Sequence, residues 1–595
     1  MNKKVILFFI ILGFIFSWPL TKDIQYWGIQ DWDHHTAHLA QAYEVVVKYH
    51  QFPLWNPYHC GGMPAFANPQ SRILSPALIF SIIFGPIIGV KLEILFYLIF
   101  GLLGFFALAR YYQLTLLAAI FASSIYMLNG MFSLSLTVGM VPFLSIGFIP
   151  WVFLFFKKAI DKKSGLYVIA TAFALTILFF NGVHLLILIL PLLILQAISE
   201  FLGSRKPITL ILLGSILVLF FGLSAVKLLP SLELMSRYPR MISEYSGYSL
   251  KGLTLALLSK NQNLEDIEKW QPGKRGFWEG ITYGMDENGM YVGIIPLVLF
   301  ILGLWLNAKK RWQLTVIFLI FLWLSFGERI PLSFWQSLKP IFPFDSFRVA
   351  QRFRFIFMVP LSIFAGLGLE ALTKYSKKLT KKFSLLACIP TLVVIIVIYD
   401  LVKVNSLPFE EAFSIPPIET SRKQEFIQTC NLDFYDKNGF ISGRTNPPIR
   451  AAWSSEYPTF LSNQGIVEGC YEAIPVSRNA VCIDQKNYKG EIFLENAVGN
   501  VKLKYWSPNK ITVKTSVLSE GSLVVNQNYD PGWKIKKPTG KEVKSLGGLL
   551  STDVFPEDEE IVFYYFPLSF IIGGTISLAS LLAVVIYFYH RRLAI

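Results

Sequence analysis

Charged residues are scarce in this sequence. Asp, Glu, Lys and Arg make up 16% of the 595 residues and hydrophobic residues 53%, whereas about a quarter of a soluble domain is charged. That balance excludes a soluble protein. Nucleotide signatures are missing too: there is no P-loop, no GxGxxG after a strand and no GxSxG elbow, so ATP-driven transport is not expected. No CxxC spacing argues for a zinc finger, and no 20–50-residue repeat or low-complexity tract is visible. The net charge of +15 would suit nucleic acid if the basic residues formed a face. They sit instead in short clusters between apolar runs, such as Lys157-Lys158 with Lys162-Lys163 and Lys309-Lys310-Arg311. Such clusters are topology signals, and no nucleic acid partner is expected.

What is present is a series of apolar runs. A bilayer core takes about 20 apolar residues per helix. Twelve runs qualify, near 5–20, 92–109, 114–129, 138–156, 165–182, 184–199, 208–229, 290–307, 312–327, 354–371, 384–401 and 566–588. The first follows Lys3-Lys4 and lacks a small-x-small cleavage site, so it reads as an uncleaved span with a cytoplasmic N-terminus. A further stretch, 73–90, is interrupted by Pro76, Gly85, Pro86 and Gly89. Leaving it as a re-entrant or interfacial segment keeps every strong basic cluster cytoplasmic, including Arg591-Arg592 at the C-terminus. The expected layout is a multi-pass inner-membrane protein with both termini cytoplasmic. Residues 1–402 form the transmembrane domain with extracytoplasmic loops 21–91 and 231–289, 403–565 an extracytoplasmic domain, and 566–595 a last helix and tail. Alternating patterns at 501–506, 510–515 and 522–526, separated by Ser507-Pro508-Asn509 and Asp530-Pro531-Gly532, read as half-buried strands of a β-sandwich. Membrane lipids are the first expected partners.

Of five cysteines, Cys388 lies in a span; Cys60, Cys430, Cys470 and Cys482 fall outside, where oxidation is permitted. Closeness in sequence favours Cys470–Cys482, with free thiols as the alternative.

The chemistry concentrates in the first loop. Asp31-Trp32-Asp33-His34-His35 opens it, beside the first span. Paired carboxylates there can hold a divalent cation such as magnesium or manganese beside phosphates, or one can act as a general base; a solvated loop start is the plain alternative. The Pro- and Gly-rich run from Phe52 to Gln70 implies a defined, turned backbone, from which Asn56, His59, Gln70 and Arg72 can meet a ligand or merely plug the bundle. Glu279 and Glu287 precede the eighth span. Arg348, Arg352 and Arg354 precede the tenth and offer bidentate donors for a lipid phosphate, or snorkel to headgroups.

Several of these pieces resemble the YfhO-like branch of the C-type (GT-C) glycosyltransferase superfamily. They are Asp-Trp-Asp after the first span, Trp55-Asn-Pro-Tyr-His-Cys-Gly-Gly-Met-Pro64, Ala67-Asn-Pro-Gln70, Tyr291-Val-Gly-Ile-Ile-Pro, Arg352-Phe-Arg, Ala365-Gly-Leu-Gly-Leu-Glu370 and Asp530-Pro-Gly-Trp533. The resemblance implies a GT-C-like α-helical membrane domain with a C-terminal β-rich domain. It implies transfer of a sugar from a polyprenyl-phosphate donor to an envelope glycan or lipid acceptor on the outer face. It also implies an essential acidic residue in the first loop, here Asp33 as base with Asp31 supporting it or holding a cation. A lipid-linked sugar flippase and a non-catalytic assembly scaffold are the rival readings.

Overall fold

A computed structural model describes residues 2–28, 30–240, 246–262, 277–278, 284–330, 333–341, 344–379, 388–430, 441–442, 450–451 and 455–593. Among these, eight helices are long and apolar enough to cross a membrane. Three shorter apolar helices, Gly165–Phe180, Ile294–Asn307 and Trp312–Ser325, accompany them, as does Lys3–Ser17 of 15 residues. Each of the twelve apolar runs thus holds a helix among the described residues, and the chain is a multi-pass membrane protein. The last helix, Leu568–Leu593, leaves Ile571, Ile572, Leu578, Leu582 and Val585 exposed, as a lipid-facing span does. The broken stretch divides at Gly85, whose φ of +81° suits only glycine. A seven-residue helix, Leu78–Phe84, ends there, and the helix Pro86–Tyr111 starts with proline at its first position.

The chain divides into two compact units. The first comprises Met1–Ile24, Lys91–Phe220 and Met241–Phe413. Its helices approach closely where side chains are smallest. A Cβ on Gly303 would collide with the backbone of Phe364, and one on Gly368 with that of Leu299. The Ala365–Glu370 motif is therefore a packing stripe. Two polar contacts tie its buried interior: Tyr97 donates to Asn181 Oδ1 at 2.8 Å, and Asn405 Nδ2 donates to the carbonyls of Leu128 and Tyr291 at 2.8 and 3.2 Å.

The second unit comprises Gln25–Val90, Phe221–Arg240 and Ser414–Ile595. Eight of its strands are β1 (Ile492–Glu495), β2 (Gly499–Ser507), β3 (Lys510–Val517), β4 (Gly521–Asn528), β5 (Trp533–Lys537), β6 (Lys544–Leu546), β7 (Leu549–Val554) and β8 (Glu560–Tyr565). They form two antiparallel sheets, β6-β7-β4-β1 and β5-β8-β3-β2. The three patterns read as alternating fall in β2, β3 and β4. Leu523, Val525, Leu550 and Val554 of one sheet share a core with Ile511, Val513, Ile561 and Phe563 of the other, as facing sheets of a sandwich do. Leu54, Trp55 and Phe66 of the N-terminal loop enter the same core. Trp55 is fully buried, its backbone N–H donating to Asn509 Oδ1 at 3.0 Å and its indole N–H to Gln527 Oε1 at 2.8 Å. Asp530 accepts from Gly532 N (2.8 Å), Tyr565 Oη (3.0 Å) and Arg237 Nη1 (2.6 Å). That explains Asp-Pro-Gly-Trp as a turn pinned to its surroundings.

The disulfides correct the expected pairing. They join Cys60 to Cys470 and Cys430 to Cys482, with Cα separations of 5.4 and 5.1 Å. Closeness in sequence misled, because the fold carries the Cys60 loop to a segment 410 residues away.

Candidate functional site

The site is built on the helix Asp31–Val47 in the second unit. Asp31 and Asp33 lie in its first turn, where carboxylates complement the helix dipole. The 3.6-residue period stacks His38 one turn after His34, and His35 one turn after Asp31.

Three buried or partly buried imidazoles converge. The ring centroids of His34 and His38 are 4.4 Å apart, those of His38 and His59 4.6 Å, and those of His34 and His59 5.1 Å. Glu456 completes the group: its Oε2 is 2.9 Å from His34 Nδ1 and 3.3 Å from His59 Nδ1. Its Oε1 accepts from Tyr471 N at 2.7 Å. A second carboxylate, Glu472, lies with Oε2 3.4 Å from His59 Nε2 and also accepts from Asn68 Nδ2 at 2.9 Å. The Cys60–Cys470 bridge holds the segments bearing His59 and Glu472 together.

Asp33 fixes this arrangement from behind. It is fully buried and accepts the backbone N–H groups of Glu456 and Tyr457, at 2.7 and 3.2 Å. These open the helix Glu456–Leu461, so Asp33 caps that helix from another segment.

The electrostatics are set by burial and proximity. Burial pulls the His34 and His59 imidazoles down, but Glu456 outweighs it for both, aided by Glu472; His34 is raised and His59 pushed up to about 10. His38 is held well below the ordinary histidine range by burial and by the neighbouring His34 and His59. Burial raises the Glu456 carboxyl, yet His59 and His34 together hold it well below the usual carboxylate range. His34, His38, His59 and Glu456 each offer one ligand atom, all within 4.8 Å of one another, and are the residues able to hold a metal ion here.

Beside this cluster lies a small cleft partly open to solvent. Its polar lining comprises His34, His35, His38, Asn68, Gln70 and Arg72. Leu39, Ile73 and Leu78 add apolar side chains to the same lining.

The candidates named from sequence are therefore distributed unevenly. His34, His35, Gln70 and Arg72 line one cavity, and His59 stands in the imidazole cluster next to it. Asn56 is buried, its Oδ1 accepting Tyr58 N at 3.0 Å, which makes it part of the turn. Glu287, Arg348, Arg352 and Arg354 belong to the first unit. There Glu287 Oε2 accepts from Arg352 Nε at 2.9 Å, and buried Arg354 donates to the Asp286 carbonyl at 2.8 Å. Arg348 is half-buried, its carbonyl accepting Ser246 N at 3.0 Å. Glu279 lies outside the described residues. Sequence reading missed His38, Glu456 and Glu472. His38 is signalled by its i+4 spacing from His34; the two glutamates carry no local signal.

No known protein family's profile matches the sequence, and no curated protein matches it. Solved structures resemble it loosely. ArnT from Cupriavidus metallidurans bound to undecaprenyl phosphate is 12% identical, with a TM-score of 0.36, covering 69% of this chain and 77% of that one. The oligosaccharyltransferase of Archaeoglobus fulgidus in its apo form is 12% identical, with a TM-score of 0.41, covering 70% and 57%. AglB from Archaeoglobus fulgidus, in complex with an inhibitory peptide and a dolichol-phosphate, is 14% identical with a TM-score of 0.34. Similarity of this degree leaves the function to be argued from the residues.

Proposed function

We propose that the chain is a membrane glycosyltransferase. It moves a sugar from a polyprenyl-phosphate-linked donor to an envelope polymer or lipid on the extracytoplasmic face. The observation that carries this reading is the mixed lining of the cleft in the second unit, polar and apolar together. Arg72 and Gln70 offer a cation and an amide donor to a phosphate, while Ile73, Leu78 and Leu39 offer apolar side chains to a prenyl chain. A phosphate-linked lipid needs both in one site. The two disulfides support an oxidising compartment for this unit.

In the reaction, an acceptor hydroxyl attacks the anomeric carbon of the donor. The bond from that carbon to the phosphate oxygen breaks, and polyprenyl phosphate leaves with the bonding pair. Arg72 stabilises the charge on the departing phosphate. Of the two first-turn carboxylates, Asp31 is better suited to take the hydroxyl proton. It is half-buried and one turn from His35 on the cavity wall, whereas Asp33 is committed to the Glu456 helix. Asp33 then acts as a positioning residue.

The test is a comparison of envelope glycans by mass spectrometry in a deletion strain restored with wild type, Asp31→Asn or Arg72→Ala at matched membrane levels. One sugar is expected to vanish on deletion, return with wild type, and stay at background with Asp31→Asn. Loss of a general base lowers rates by about 10²–10⁴. Full restoration by both variants would remove the transferase reading.

A further inference from the structure

We propose that His34, His38, His59 and Glu456 form a four-coordinate site for a zinc-class divalent ion, with Glu472 orienting the His59 ring from behind. Neither Asp31 nor Asp33 is a ligand, and the site stands apart from the transferase reading, because metal content is measured on the resting protein.

The spacing fits such an ion. Zinc bonds to nitrogen and oxygen are about 2.0–2.1 Å long, which sets the ligand atoms of a tetrahedral site about 3.3 Å apart. The Glu456 Oε2 distances to His34 Nδ1 and His59 Nδ1 are 2.9 and 3.3 Å. The third imidazole, His38, has its Nε2 buried without a hydrogen-bond partner, and its ring stands 4.4 and 4.6 Å from the other two. A buried ring nitrogen is costly to leave unpaired, and a metal ion supplies what it lacks.

Charge points the same way. The Glu456 and Glu472 side chains are 2% and 0% exposed. Two buried carboxylates beside neutral imidazoles require two positive charges. A single divalent ion supplies the same charge and engages all three rings. Nitrogen-rich ligation selects a zinc-class ion over magnesium or calcium, which take oxygen ligands.

The supporting groups are those of a built site. Glu456 Oε1 is held by Tyr471 N at 2.7 Å, which turns Oε2 toward the imidazoles. Asp33 fixes the start of the helix that carries Glu456. Glu472, 3.4 Å from His59 Nε2, is placed as the carboxylate of a carboxylate–histidine–metal relay. An ion there would tie the 31–47 helix, the loop of His59 and the 456–472 segment together at the wall of the cavity.

The test uses the purified full chain in detergent. Elemental analysis is expected to find about one zinc per chain, retained through dialysis. His38→Ala and His59→Ala are each expected to lose it, while His35→Ala keeps it. Glu472→Gln is expected to bind at least about ten-fold more weakly. Wild-type protein stripped with a chelator and titrated with cobalt(II) should show the visible spectrum of a tetrahedral ion, which tests the site with no substitution. The proposal fails if the stripped wild-type chain binds neither zinc nor cobalt. It also fails if His38→Ala and His59→Ala hold metal as wild type does.

Discussion

Asp33 and Asp31 show how two similar residues acquire different places. Asp33 receives two backbone N–H groups at the start of a helix more than 400 residues away; Asp31 is half-buried, one turn before His35. Asp33→Ala is expected to cost about 1–2 kcal/mol, the usual effect of removing a cap, in a denaturation midpoint. Asp33→Asn keeps one acceptor oxygen and should cost less than Asp33→Ala. Equal effects would contradict the assignment. Glu491 allows a pH prediction. Burial raises its carboxyl to about 7, against the pull of donors from Gln428 N, Tyr488 Oη and Asn526 Nδ2. The folded state thus binds this proton more tightly than the unfolded chain. Its contribution to stability is full below about 4.5 and is lost as pH rises to about 7. Glu491→Gln should flatten that part of the stability profile, and an unchanged slope would refute the account. At this scale the sequence announces residue types but not partners. The Asp-x-Asp-His-His run marks the right helix, and His38 could have been found by adding one turn. Glu456 and Glu472 could not, because only the fold brings them to the imidazoles.

Among the elements, the strands were legible because β2, β3 and β4 have the two-residue alternation of a half-buried sheet. The Trp55–Pro64 motif was legible only as a defined turn. Its main task, seen in the structure, is to insert Trp55 between Trp533 and Tyr565, with ring centroids 5.4 and 4.9 Å away. Trp55→Ala should therefore destabilise the second unit by about 3–5 kcal/mol, measured by the unfolding midpoint; a change below about 1 kcal/mol would mean the core tolerates its loss. Gly61 and Gly62 carry φ values of +79° and +104°, and a Cβ there would press on Ala480 and on the Trp55 ring. The disulfides lay beyond sequence reading, since four cysteines allow three pairings. Replacing Cys60 and Cys470 together by serine should cost about 2–5 kcal/mol and loosen His59 from Glu472. A double variant with unchanged midpoint would show the link is dispensable.

For the molecule as a whole, hydropathy gave the membrane class and a helix in each apolar run, eight of the described helices being long enough to cross a membrane, because each backbone polar group in a bilayer must be satisfied within its own segment. Hydropathy could not show that the loop at 25–90 and the C-terminal residues 414–595 fold as one unit with 221–240. That joining is what makes one site of His34, His59, Glu456 and Glu472. The central claim is that this chain breaks the bond between sugar and lipid phosphate. The most direct measurement places purified protein in vesicles loaded with polyprenyl-phosphate-linked sugars and acceptor extracted from the host, and follows released polyprenyl phosphate by mass spectrometry. Wild type is expected to release it in step with acceptor glycosylation, and Asp31→Asn to release about 10²-fold less. Intact donor that merely reaches the opposite leaflet, or release unchanged by Asp31→Asn, would contradict the account.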